Sequence, residues 1–189
     1  MRSGIKIMIF APLFLLIGCG RVADTDGTWS QVCIVYNGTQ GSQNTIAMSG
    51  GNYTLTNKNA LTDQTCTQVS FTVTIKGTYS LGDSIPNPSG AKKVNFTLNS
   101  FAITPNDSTT VAGFNSTARC GLTNWALNVS QDVTGKTCGS ITYKAGSQDF
   151  NIYQVSGSQM WLGDESGSND GTTDAKRPTA FETKSYVRQ

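Results

Sequence analysis

The sequence predicts an all-β domain: an antiparallel up-and-down barrel of about eight to ten strands, with a β-sandwich as the alternative. Two kinds of observation lead there. Apolar residues alternate with polar ones over several segments, the period of a strand with one buried face. Short turn signals then separate these segments. Only Gly121–Val129 offers room for a helical turn.

The alternation is plainest at Phe71, Val73 and Ile75, set against Ser70, Thr72, Thr74 and Lys76. Val94, Phe96 and Leu98 repeat it, after which the apolar parity shifts to Phe101 and Ile103, the mark of a β-bulge near Asn99-Ser100. Phe150 and Ile152 continue the pattern, Met160–Leu162 forms a further strand, and Thr179–Arg188 reads as the last one. Ser49-Gly50-Gly51-Asn52 joins an Ile46/Met48 strand to a Tyr53/Leu55 strand in a tight hairpin. Pro86-Asn87-Pro88-Ser89-Gly90 and Asn169-Asp170-Gly171 mark other loops. Phe71, Phe96, Phe101, Phe150 and Trp161 are candidates to fill the interior. A membrane-spanning barrel would need an outward apolar band with aromatic girdles, which the scattered aromatics do not form.

The N-terminus has a different character. Arg2 and Lys6 precede an apolar run from Ile7 to Ile17, broken only by Pro12. The run is too short to cross a hydrocarbon core, which needs about 20 residues, and fits a secretory signal. It ends in Leu16-Ile17-Gly18-Cys19. Those four residues resemble the lipobox of bacterial lipoproteins. The resemblance implies a signal peptide over residues 1–18, cleavage after Gly18, and diacylglyceryl and N-acyl lipid on Cys19. Two or three acyl chains hold a protein to a bilayer essentially permanently. Gly20 replaces the aspartate that retains many lipoproteins at the inner membrane, which favours the outer membrane of a bacterial cell envelope. Residues 19–27 then read as the lipidated cysteine and a short tether, reaching about 25–30 Å, with a single β domain over residues 28–189.

Charge and residue usage remove several functions. Arg2 and Lys6 leave with the signal, so the fourteen basic side chains fall to twelve, against twelve acidic ones. A net-neutral chain offers no basic face for nucleic acid. There is no histidine, which excludes Ser-His-Asp and Cys-His catalysis and leaves no recognisable catalytic constellation; a non-enzymatic role is expected. Cys33, Cys66, Cys120 and Cys138 remain beside Cys19, an even number in an oxidising compartment. Of three possible pairings, Cys33–Cys66 and Cys120–Cys138 are favoured because each closes a loop of modest length.

Gly27-Thr28-Trp29 opens the first strand candidate. It resembles the Gly-x-Trp that begins the barrel in lipocalins, where the tryptophan closes one end beneath an arginine from near the last strand. The resemblance implies that role for Trp29 and Arg188, and a barrel mouth that binds a small lipophilic ligand. Elsewhere, Asp164, Asp170 and Asp174 are weak calcium candidates in a Gly/Ser/Thr-rich loop, which reads more simply as a solvated hairpin loop with no metal. Asp164 and Glu165 make a poor acid–base pair, since adjacent side chains on a strand end point apart. Lys92-Lys93 and Lys176-Arg177 read as solvated strand ends. No cofactor is expected beyond the lipid on Cys19. The reading is a membrane-anchored lipoprotein that binds a small apolar ligand or lipid; the alternative is an interaction module whose loops contact an envelope protein.

Overall fold

The structure, a computed structural model, describes residues 23–189; the signal, the lipobox and Cys19 lie outside the described residues. Twelve strands form, in chain order β1 (Gly27–Ser30), β2 (Ile34–Tyr36), β3 (Gln40–Ser49), β4 (Asn52–Ala60), β5 (Phe71–Ser84), β6 (Lys92–Pro105), β7 (Gln131–Asp132), β8 (Thr137–Cys138), β9 (Ile141–Thr142), β10 (Gln148–Ser156), β11 (Gln159–Leu162) and β12 (Tyr186–Arg188). Eight of them, β1, β3, β4, β5, β6, β10, β11 and β12, pair in that order, and β1 pairs with both β3 and β12. The sheet therefore closes on itself as an antiparallel barrel, and the sandwich alternative falls away. Closure removes the exposed edges that an open sheet would have to protect.

Local sequence accounts for the joints. Gly50 and Gly51 have φ of 55° and 80° between the paired Ser49 and Asn52, as a two-residue hairpin requires at both central positions. Between β5 and β6 the register runs Lys76↔Ser100 then Gly77↔Leu98, so Asn99 is the extra residue of a bulge. The bulge keeps Phe101 and Ile103 on the same inner face as Val94, Phe96 and Leu98. Gly77 sits opposite it: a Cβ there would overlap the Thr97 carbonyl and stand 2.6 Å from Tyr53 Cε1. Gly77→Ala should therefore destabilise the barrel by about 3 kcal/mol, the upper end for overpacking, as read from urea unfolding midpoints.

Two apolar clusters divide the interior. One, at the end where the chain enters, gathers Trp29, Ile46, Met48, Val94, Tyr153, Met160 and Tyr186. The other gathers Phe101, Ile103, Trp125 and Val133 with the Cys120–Cys138 disulfide, where the long β6–β10 excursion folds over the opposite end. That excursion contains the one helix sequence reading missed, α1 (Ser108–Ser116), started by Asp107, whose carboxylate accepts the Thr110 N–H at 2.6 Å. Gly121–Val129 holds no α-helix; only a single 3₁₀ turn, Arg119–Gly121, touches it. Phe114 of α1 packs against Phe71 and Trp125, with ring centroids 5.7 Å and 5.2 Å apart. The second disulfide, Cys33–Cys66, ties the start of β2 to the β4–β5 loop. Both bridges are the favoured pairing.

Several expectations need correction. Phe150 and Trp161 do not fill the barrel. Phe150 pairs with Asn95, whose neighbours Val94 and Phe96 point inward, so it lies on the outer face beneath Arg177. The inward residues of that strand are Asp149, Asn151 and Tyr153; the outer face of Phe150 and Ile152 is covered by a loop, which hides the parity. The last strand covers only Tyr186–Arg188; the rest of Thr179–Arg188 is loop, bound at one bridge, Gly163↔Phe181. The tether is shorter than expected, because residues 23–26 are already part of the barrel: Thr25 is buried, and Asp24 binds Lys92 at 2.9 Å.

Candidate functional site

Trp29 and Arg188 meet where the first and last strands join. They are register partners, and the Arg188 guanidinium lies 4.2 Å from the centre of the Trp29 ring. Trp29 is fully buried, and its Nε1–H donates to the Thr25 carbonyl at 2.7 Å. Arg188 also donates to the Asp24 and Asp26 carbonyls at 2.9 Å and 3.0 Å. Tyr79 and Tyr153 donate their hydroxyls to Asp26 and Asp24. This end of the barrel is shut by side chains and by the entering chain.

Between the two apolar clusters the interior is not filled. Ile46 (β3), Tyr53 and Leu55 (β4), Ile75 (β5), and Phe96 and Leu98 (β6) wall a cavity of about 320 Å³. Tyr143 roofs it, stacked on Phe101 at 4.0 Å. Asp149 and Glu165 stand at its polar rim. Other hollows include a mostly apolar one of about 390 Å³ beside β1 and the β3–β4 hairpin, lined by Gly27, Met48 and Tyr53. Two more are polar grooves, one between β2 and the Glu182–Lys184 segment, another around Thr74, Lys76 and Thr104.

Asp149 comes from β10, and Glu165 from the loop that joins β11 to β12. That loop is held as part of the wall. Gly163 donates to the Ile152 carbonyl at 3.1 Å and to Asn151 Oδ1 at 2.8 Å, and Phe150 donates to the Gly171 carbonyl at 2.9 Å. Asn151 also donates its amide to Glu165. Arg177 locks the loop from outside, donating to the Val94 carbonyl at 2.9 Å, to the Asn151 carbonyl, and to Asn95 Oδ1 at 2.7 Å. Far from being a solvated strand end, Arg177 is buried, because the strand carbonyls it bridges lie beneath the loop.

Burial pushes the Asp149 carboxyl up, partly offset by its bond with Glu165 and by the Arg177 charge. Glu165, the more exposed of the two, is raised by burial first, then by the charge of Asp149 and by the hydrogen bond between them. Asp149 Oδ1 is shielded from water and finds no N–H or hydroxyl among the described residues. A proton or another donor shared with Glu165 would satisfy it. Tyr53, pushed up to about 12 by burial and then by Asp149, stays a neutral hydroxyl. Glu182 is raised by burial as well, and its charge adds to the rise at Glu165. Gln31 donates to Glu182 at 2.8 Å, and Asn44 and Asn57 extend that chain across the wall.

A raised pKa in the folded state means that the unfolded chain releases its proton first. Stability is thus present below the ordinary glutamate value and is lost as pH rises toward the raised one. Glu165→Gln cannot titrate, so its melting temperature relative to the parent protein should climb from about pH 4 to about pH 8. A constant difference across thermal melts would show that Glu165 carries no raised proton affinity.

The calcium candidates are not brought together. Asp164 accepts the Ser166 N–H at 3.0 Å. Asp170 binds Thr172 and Lys176, and Asp174 binds Arg177 and Lys93. Among the described residues no three acidic or thiol side chains cluster as metal ligands. Sequence reading missed Asp149, Asn151 and Tyr53 as site residues, and weighed Glu165 only against Asp164, a pair it set aside. The available signal was parity: Tyr153 inward makes Asp149 and Asn151 inward too.

No family model matches the chain, and no curated protein matches its sequence.

Proposed function

We propose that the protein is a lipid-anchored lipoprotein of the bacterial envelope that holds a small apolar ligand in its barrel without transforming it. The cavity of about 320 Å³ between the two apolar clusters carries this reading. Close-packed interiors leave few voids larger than a water molecule, and this one has apolar walls and a polar rim, the usual build of a ligand site. Its volume matches roughly ten liquid waters, enough for a compact ligand and too little to enclose a whole membrane lipid.

The entry of the chain supports an orientation. Asp24 and Thr25 are bound at the shut end, which leaves Gly20–Val22 between the expected anchor at Cys19 and the barrel. Three residues span about 10 Å. The shut end then faces the membrane, and the cavity opens away from it.

A soluble form, starting at residue 19 with Cys19→Ser, should leave the membrane fraction and bind 1-octanol saturably at one site in isothermal titration. Absence of saturable uptake would remove the ligand-binding reading. A second reading, a protein-interaction surface, is favoured by one observation: among the described residues β2 pairs only with β3, and Val35 and Tyr36 on it are exposed beside Val32.

A further inference from the structure

We infer that the ligand carries a cationic amine, which seats at the Asp149–Glu165 rim while its apolar body enters the cavity. This rests on the ligand-binding reading above and names the chemical class of its occupant. Three observations converge on it. The cavity is amphipathic, its walls being Ile46, Leu55, Ile75, Phe96 and Leu98, with the Asp149 and Glu165 carboxyls also in its lining. No lysine or arginine forms an ion pair with Asp149, Glu165 or Glu182 among the described residues; the four ion pairs there involve Asp24, Asp170 and Asp174. Arg177, the cation that acts on Asp149, spends its donors on Val94, Asn151, Asn95 and Asp174.

A carboxyl pair with no ion-pair partner beside an apolar hollow is relieved by a proton or a cation. In the empty site the shared proton plays that part. An ammonium group has three donors and no acceptor, so it replaces the proton and satisfies both carboxylates. A carboxylate headgroup of a fatty acid would meet like charge there, with Glu182 adding to the repulsion. A calcium ion needs six to eight oxygen ligands, which two carboxyls do not supply.

The test compares three probes with one apolar body on the full mature-length chain: octylamine, 1-octanol and octanoate, near neutral pH. Octylamine should bind about tenfold tighter than octanol, the low end for a hydrogen bond to a charged group, and octanoate weakest. In the isosteric variant Asp149→Asn with Glu165→Gln, the amine-to-alcohol ratio should fall to near one. Octanoate binding as tightly as octylamine, or a ratio unmoved by the double substitution, would overturn the inference while leaving the cavity reading intact. Failure of all three probes would instead strike the cavity reading itself.

Discussion

Trp29→Ala should cost about 3–5 kcal/mol of folding stability, the range for removing a large buried aromatic. The residue is wholly enclosed and touches the cluster at the shut end. Three losses coincide: the packing, the Nε1–H bond to Thr25, and the platform beneath Arg188. Arg188 would keep its bonds to the Asp24 and Asp26 carbonyls, though not the ring that fixes its plane. For a domain of this size the loss corresponds to a drop of roughly 10–15 °C in melting temperature, measurable by circular dichroism. Trp29→Phe separates the causes. It retains most of the packing and forfeits the indole hydrogen bond, so its cost should be about 1–2 kcal/mol. If the alanine variant melted within a degree or two of the parent, strand closure would not depend on this pair.

Arg177→Ala should have the next largest effect, about 3 kcal/mol or more, because a buried cation with several carbonyl and carboxylate partners is removed at once. Its guanidinium spans the Val94 and Asn151 carbonyls, Asn95 and Asp174. Without it, two backbone carbonyls under the β11–β12 loop lose their donor, and that loop loses its fastening to β6 and β10. The effect should be local before it is global. Amide exchange should quicken first at Phe150 and Gly163, whose N–H groups bond to Gly171 and to Ile152. Arg177→Lys should recover less than half of the stability, since one ammonium cannot reproduce the planar fork. Unchanged exchange at both amides would mean that the loop stands without this residue.

The parts of the fold legible in the sequence are those where one chemical preference acts alone. The Gly50-Gly51 hairpin follows from positive φ at two positions. The parity shift after Leu98 marks the bulge because side chains in a strand alternate strictly. The two disulfides follow from loop length. Where two demands compete, the pattern blurs. Asp149, Asn151, Asn44, Asn57 and Gln31 are polar and yet face inward, because the mouth half of the barrel is lined for hydrogen bonding. Phe150 is apolar and faces outward, because a loop covers it. A period-two reading keyed on Phe150 and Ile152 puts Asp149 and Asn151 on the wrong side. Arg177 was hidden for a related reason: a basic pair before a proline looks like surface until the loop's path over β6 and β10 is known. The carboxyl pair joins residues sixteen apart across a loop, and no local spacing announces it.

The cavity is the feature on which the functional account turns. The direct measurement is nuclear Overhauser contact between 1-octanol and the methyl groups of an isotopically labelled soluble form. The account predicts contacts from the bound alkyl chain to Leu55, Ile75 and Leu98, and to the Tyr143 ring above them. Contacts confined to the exposed residues Val35 and Tyr36 of β2, with silence at Leu55, Ile75 and Leu98, would contradict it and move the binding surface to the outside of the barrel.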